Sequence, residues 1–473
     1  MSTATSTSAD TTWQSPRHRR TVYMILAIVG ISILFDGYDL VVYGAVLSDL
    51  LDNPHHIGQL SPAVAGTLGS WAMIGVMIGA LSAGAVGDRL GRRKVMITAI
   101  IWFSLGMAAT AMATSILAFG ALRFATGLGV GMIVATGGAI IAEFAPAGRR
   151  NLFNAIVYSG VPAGGVMATV LALLLHDAIG WRGLFLIGGS PLLFLLPLAF
   201  FALPESPRWL MSRGRTAEAA AECARFGLPE SQFLAEPKVI EDSARGVEPT
   251  AQEKTGFAAI FSNKYLRGTL LIGIMSFIGL LATYGLNTWL PTIREAAGAT
   301  PDSALYSLLA LNGSAVVGGL IASWFADRIG AKKVITTTFV MAAISLTLLP
   351  FTTNMAMVYL LTGVTGIGII GTQVLTYGLS SNFYGTSARA AGVAWCAGFG
   401  RIGGIAGPAL GGLIIGMGLA GADALFLFAG AAVVGAIATA LIPRSPAETR
   451  IIETVPAAQE PAMARPAPVA ERS

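Results

Sequence analysis

Twelve apolar stretches, each long enough to cross a lipid bilayer as a helix, constrain this chain more than any other feature. A hydrocarbon core of about 30 Å needs about 20 apolar residues in helix. That ruler places spans at roughly 21–48, 63–86, 95–114, 116–142, 153–175, 180–203, 268–291, 303–325, 334–351, 355–380, 390–416 and 422–443. Inside hydrocarbon the backbone must satisfy its own hydrogen bonds, so each stretch is expected to be helical. Charge is correspondingly scarce. Only 12% of the 473 residues are charged, against about 25% in a soluble protein, and a disordered chain would carry more still. The expected fold class is an all-α membrane protein with twelve transmembrane helices.

The positions of the basic residues set an orientation. With both ends on one side, 26 of the 30 Lys and Arg residues fall on that side, and only Arg182 and Arg294 fall on the other. Such asymmetry marks the cytoplasmic face, so the N- and C-termini are expected in the cytoplasm of a multi-pass inner-membrane protein. It also explains the net charge of +5 without a nucleic-acid partner, which would need a clustered basic face. Arg17-His18-Arg19-Arg20 before an apolar run resembles a signal peptide, but the run is too long and has no convincing cleavage site. It reads as a retained first helix. Residues 1–20 and 444–473 read as disordered cytoplasmic ends. Residues 204–267, with nine basic and nine acidic side chains, read as a cytoplasmic linker between a first bundle at 21–203 and a second at 268–443. Cys223 and Cys396 lie in unlike surroundings and imply neither a disulfide nor a metal site.

The two bundles are repeats. Gly87-Asp88-Arg89-Leu90-Gly91-Arg92-Arg93-Lys94-Val95 returns as Ala326-Asp327-Arg328-Ile329-Gly330-Ala331-Lys332-Lys333-Val334, an offset of 239 residues. Phe144 and Arg150 keep the same offset to Phe383 and Arg389. Two six-helix halves in parallel orientation are the pattern of a duplicated transporter. Gly84-Ala85-Val86-Gly87-Asp88-Arg89-Leu90-Gly91-Arg92-Arg93-Lys94 resembles the signature loop of the major facilitator superfamily. Arg123-Phe124-Ala125-Thr126-Gly127-Leu128-Gly129 resembles its fourth-helix motif, and Pro204-Glu205-Ser206-Pro207-Arg208-Trp209 the segment after its sixth helix. The resemblance covers about residues 20–443 and implies two bundles that rock about a central site. It also implies gating roles for Gly84, Asp88, Arg89, Gly91, Arg92, Asp327, Arg328 and Arg389.

Ionisable groups inside hydrocarbon are costly and mark function by default. Four lie deep: Asp36 and Asp39 in the first span, Arg123 in the fourth and Arg401 in the eleventh. Asp36 and Asp39 share a helical face that Tyr43 continues. At 1.5 Å per residue they lie about 22 and 27 Å from the inner edge, with Arg123 about 10 Å below the outer edge and Arg401 about 16 Å into its helix. Arg123 is thus at a depth where it can pair with either aspartate. That pair is either structural or part of ion coupling, and two acids for one nearby base favour coupling. The surplus carboxylate needs a proton or another cation, and Asp39 is the first choice to carry it. Arg401 is a fork for a substrate carboxylate, or else it is held by helix carbonyls.

Asp36-Gly37-Tyr38-Asp39 resembles the first-helix motif of the aromatic acid:proton symporter branch. So do Gly371-Thr372-Gln373, Asn382-Phe383-Tyr384, Arg389, Gly392, Trp395, Gly400-Arg401-Ile402-Gly403 and Gly407-Pro408. Branch members often carry Tyr-Pro-Thr where this chain has Tyr384-Gly385-Thr386, which is expected to loosen the backbone. The branch implies uptake of a benzoate-like or hydroxybenzoate-like acid with protons, with Asp36, Asp39, Arg123, Glu143 and Arg401 involved. Tyr38, Trp71, Tyr158, Tyr284, Trp289, Tyr377, Trp395 and Phe399 are aromatic side chains that either sandwich a ring or pack and anchor the helices. Asn287 and Gln373 are the hydrogen-bonding candidates. Glu143, near Arg92, is either a gate latch or a surface ion pair. Asp88 is expected to cap the positive N-terminal end of the eleventh helix.

The expected function is a transporter and not an enzyme, with no catalytic cluster, no metal and no cofactor beyond the proton gradient. It is expected to work as a monomer in the bilayer, importing a small aromatic carboxylate with protons. The alternatives are carriage of another organic anion, a sugar or a compatible solute, or efflux.

Overall fold

The computed structural model describes residues 16–146, 150–233 and 255–443. Expectations for residues 1–15, the middle of the linker and the tail from 444 lie outside the described residues, as does the side chain of Arg150. Among the described residues, eleven continuous helical stretches are long and apolar enough to cross a membrane. One of them, Leu152–Ala202, has 51 residues and would run about 76 Å as a straight helix, more than twice the bilayer core. It breaks at Gly180, where φ of 62° and ψ of −177° are open to glycine. The stretch is therefore two crossings, the fifth and sixth, and the total is twelve.

Crossing 1 is Pro16–Asp52, crossing 2 Pro62–Leu90, crossing 3 Arg92–Ala111 and crossing 4 Ile116–Phe144. Crossings 5 and 6 share Leu152–Ala202. Crossings 7 to 9 are Leu266–Ala296, Pro301–Ile329 and Ala331–Phe351. Crossing 10 is Met355–Phe383, crossing 11 Thr386–Gly416 and crossing 12 Ala422–Leu441. Crossing 1 starts at Pro16 rather than at 21, so Arg17 to Arg20 are helical. The linker holds short helices at Pro207–Ser212, Thr216–Phe226, Glu230–Phe233 and Gly256–Ile260. Both cysteines are free and buried, and burial pushes the Cys223 thiol up to about 11.

The duplication extends to the local chemistry that starts and stops helices. Ser61 and Thr300 each cap a helix whose next residue is proline, at Pro62 and Pro301. Ser115 and Asn354 cap crossings 4 and 10. Gly91 and Gly330 each hold positive φ, 95° and 92°, in the one-residue joints that follow crossings 2 and 8. Every pair is 239 residues apart (330 − 91 = 239). Gly385 has φ −65°, the angle a proline ring imposes. Glycine therefore keeps the backbone expected of proline there, and its freed N–H donates to the Tyr265 hydroxyl at 3.3 Å.

Helices approach through glycine, as expected where lipid gives no hydrophobic drive to association. Gly164 on crossing 5 sits so close to crossing 1 that a Cβ would stand 1.9 Å from the Leu34 carbonyl oxygen. Between the halves, a Cβ on Gly44 would stand 2.0 Å from the Asn287 carbonyl oxygen, and one on Gly412 would stand 2.4 Å from that of Pro62. These contacts lie at the end remote from the basic loops. Ser70 also donates to the Ile405 carbonyl at 2.7 Å.

The buried apolar residues show the same asymmetry. One cluster runs through the first half and continues into the far ends of crossings 7, 8, 9, 10 and 12. A second cluster comprises only the basic-end portions of the second half, such as Ile272, Phe339, Phe383 and Ala436. The halves thus share a core at the far end and separate at the basic end. The linker follows this division. Thr21 donates to the Phe226 carbonyl on the first half, and Thr269 to the Ile260 carbonyl on the second, both at 2.7 Å.

The Gly164→Ala variant is expected to lose about 1–3 kcal/mol of stability by forcing crossings 1 and 5 apart. Gly30→Ala, where a Cβ meets nothing within 4 Å, should be neutral or slightly stabilising. Thermal unfolding of the two variants in detergent checks the contrast.

Candidate functional site

The deepest charges form a closed pair. Arg123 Nη1 donates to Asp39 Oδ1, and each residue is only 2% exposed. The guanidinium carbon lies 5.2 Å from the Tyr43 ring centre and 5.8 Å from that of Phe185, so aromatic faces complete the enclosure. Tyr43 and Tyr38 are themselves tied down, donating to the Ala65 and Leu184 carbonyls at 2.7 Å. Crossings 1, 2, 4 and 6 therefore build an enclosed box around one ion pair. The neighbouring acid, Asp36, is placed differently. It is half-buried, and among the described residues it has no hydrogen bond or salt bridge.

Asp36 faces the second half. Its electrostatic partners are Asp39 on its own helix and Arg401 across the divide. Tyr158, Tyr284 and Tyr377 are coupled to the same two charges or to one another. Crossings 1, 5, 7, 10 and 11 thus bring one acid, one base and three phenols together where the halves meet. Arg401, half-buried, has no hydrogen-bonding or ionic partner among the described residues. Gln373 stands beside Gly279, and its amide nitrogen and oxygen are both buried without a partner. It follows a π-helical turn at Ile367–Gly371, and such turns recur at functional positions because they re-aim the residues beyond them. The pattern of apolar residues carries no signal for this turn.

Several expected ligands are instead spent on packing. Tyr38 is fully enclosed, as above. Trp289 is fully buried and donates to the Pro408 carbonyl at 2.8 Å, joining crossings 7 and 11. Asn287 donates to the Thr283 carbonyl and accepts from Asn312, each at 2.8 Å. Trp395 donates to the Thr269 carbonyl and stacks on Phe399, with ring centres 4.9 Å apart. In this conformation their polar groups are satisfied and their rings are held. Glu143 also differs from expectation. It lies about 30 Å along crossing 4 from Arg123, accepting a hydrogen bond from Ser206 at the basic end, and so it is remote from Asp36 and Asp39.

At that end the loop residues form a network within the first half. Asp88 pairs with Arg92 at 3.0 Å, and its carboxylate is 70% exposed. The expected cap of crossing 11 by Asp88 is absent here, because the helix starts at Gly385 with no side-chain cap and the two halves are apart. Arg89, Asp327 and Arg389 are exposed, as is Gly84, where a Cβ would meet nothing. Arg328 stacks on Trp324 at 3.5 Å. Sequence reasoning missed Glu205. Its carboxylate accepts from the backbone N–H of Arg93 at 3.1 Å, capping the positive start of crossing 3, which has no cap of its own. A cap brought from 112 residues away leaves no local pattern to read. A cavity of about 650 Å³ lies here, lined by Asp88, Arg92, Glu143, Ser206, Arg208 and Trp209, among others.

Comparison with known proteins gives a consistent result. The family model described as the Major Facilitator Superfamily matches residues 29–319 and 303–471. The chain is similar to a gentisate transporter of Corynebacterium glutamicum, with 32% identity over 87% of this chain and 85% of the relative. It is similar to a benzoate transport protein of Acinetobacter baylyi, with 31% identity over 85% of this chain and 84% of the relative. The crystal structure of a D-xylose-proton symporter shares the fold, with a TM-score of 0.69 at 18% identity, over 90% of this chain and 98% of that one.

Removing Arg123 alone leaves a buried carboxylate without a counter-charge. Arg123→Ala is therefore expected to cost about 3–5 kcal/mol. The double variant Asp39→Asn with Arg123→Gln should cost less than Arg123→Ala. Detergent thermal shifts of the variants measure the difference.

Proposed function

Because the chain belongs to the major facilitator superfamily, and is accordingly a membrane transporter rather than an enzyme, we propose that it imports a small aromatic carboxylate together with protons. The observation that carries this reading is the unbonded pair of charges, Asp36 and Arg401, facing each other from opposite halves. The two relatives are named for gentisate and benzoate, both small aromatic carboxylates.

The coupling follows from elementary electrostatics. In the empty site Asp36 and Arg401 compensate each other at a distance. A substrate carboxylate takes the guanidinium through charge-assisted bonds, and Asp36 then lacks its cation. A proton on Asp36 restores neutrality. By linkage, a proton that favours the anion is favoured by it in equal measure, so the two travel together. Tyr158, Tyr284 and Tyr377 supply ring contacts, and the free amide of Gln373 supplies a donor for the carboxylate or a ring hydroxyl. Asp39, enclosed with Arg123, holds the first bundle together and sets the field at Asp36. The proton is assigned to Asp36 rather than to Asp39.

The side carrying 26 of 30 basic residues is assigned to the cytoplasm, with both termini there and the protein in the inner membrane. The structure described above, joined at the far end and separated at the basic end, is then inward-facing. The carrier works as a single chain and draws on the proton gradient without a bound cofactor.

Uptake of labelled benzoate and gentisate into proteoliposomes under an imposed pH gradient tests this reading. Asp36→Asn should retain exchange of internal for external benzoate while losing gradient-driven accumulation. Arg401→Ala should raise KM by about ten-fold or more, the equivalent of one charge-assisted hydrogen bond. Accumulation unaffected by a protonophore, or undiminished in Asp36→Asn, would refute proton coupling at this residue.

A further inference from the structure

Arg294, like Arg401, has no hydrogen-bonding or ionic partner among the described residues. Arg294 lies in the last turn of crossing 7, at the far end, about 15 Å along the helix axis from Tyr284. It is 7% exposed, and its Nε is enclosed with no acceptor. Among the described residues no carboxylate forms a salt bridge with it. The acids nearest in sequence are otherwise placed: Glu295 is engaged by Ser48 of crossing 1, and Asp302 is exposed. A guanidinium taken out of water is costly unless an anion meets it, and among the described residues none does.

The surroundings suit one kind of anion. Tyr359 of crossing 10 is the electrostatic neighbour of Arg294, and its hydroxyl lies 3.3 Å from the Ser303 hydroxyl of crossing 8. The Tyr359 ring meets Tyr306 edge-on, with centres 6.2 Å apart, and Tyr306 is 48% exposed. A buried fork, two hydroxyls and an accessible aromatic pair match a carboxylate attached to a ring. We propose that Arg294, Tyr359 and Ser303 form a second anion subsite at the far end of the second half, which takes the carboxylate of the same class of small aromatic acid. This proposal rests on the transport reading above for its ligand and not for its location.

The subsite adjoins the far-end closure. Thr292, in the same turn, meets Ser48 of the first half at 3.2 Å. An acid bound at Arg294 would brace that turn against crossings 8 and 10, so the external acid concentration would act on the gate as well as on the central site.

The test is equilibrium dialysis of labelled benzoate with the purified full-length protein in a neutral maltoside detergent. The wild type should bind two benzoates. Arg401→Gln should leave one, Arg294→Gln should leave the other, and the double variant should bind none. Arg294→Lys keeps the cation but not the fork, and Tyr359→Phe removes a single hydroxyl. Both should weaken the second binding event several-fold while leaving the event that depends on Arg401 unchanged. Binding of one benzoate that is lost in Arg401→Gln and untouched in the Arg294 and Tyr359 variants would overturn the subsite while leaving the transport reading intact. Loss of both events in Tyr359→Phe, or no benzoate bound by the wild type, would also overturn it. If benzoate binds only at Arg294, the subsite stands and the central-site reading falls.

Discussion

The bond between Arg123 and Asp39 decides which of the remaining charges are free to act. Two acids and two bases lie deep in the spans, and hydrocarbon permits no charge to go unanswered for long. By closing Asp39 and Arg123 into a box of Tyr43 and Phe185, the first half removes one of each sign from exchange. What remains is Asp36 on one side of the divide and Arg401 on the other, each without a direct bond. In the proposed cycle the anion takes the base and the proton takes the acid, and the pairing within one half leaves this remainder between the halves.

The two repeats share their helix starts and stops but use them differently. In the first half, the signature loop is bound into the linker through Glu205 and Trp209, whose indole N–H donates to the Asp88 carbonyl at 2.8 Å, while Ser206 donates to Glu143 of crossing 4. In the second half, the equivalent Asp327 and Arg328 are exposed, and Lys332 donates to the Ile442 carbonyl at the end of crossing 12. The linker therefore ties down the signature loop of the first bundle, while in the second it is fixed to crossings 7 and 11 through Thr269 and Trp395. A duplicated sequence has become an asymmetric machine through a single inserted segment.

Length and apolar composition made the twelve crossings legible, because a bilayer imposes one thickness on every span. The joint between crossings 5 and 6 is readable despite the absence of a long loop, since an apolar stretch of 51 residues is too long for one passage. The Asp39–Arg123 pair was readable as one of two options from depth alone. Depth could not choose the acid, because Asp36 and Asp39 differ by less than one turn and only the rotation of crossing 1 against crossings 4 and 11 separates them. Trp289 and Asn287 were read as candidate ligands because a sequence shows their polar groups but not the Pro408 and Asn312 partners that occupy them. Glu205 and the π-helical turn before Gln373 escaped for related reasons: a distant cap and one extra residue per turn leave no periodic trace.

The two ends of the fold are built on different physics. At the basic end the contacts within the first half are between charged groups, Asp88 with Arg92 and Glu143 with Arg208. At the far end crossings 2 and 11 meet backbone to backbone, with Gly66 and Gly412 against Pro408 and Pro62. Dissolved salt screens the first kind of contact within about 8–10 Å at ordinary ionic strength and leaves the second untouched. Ionic strength thus acts on the contacts of one end, and any side chain wider than hydrogen at Gly66 or Gly412 is a wedge in the other.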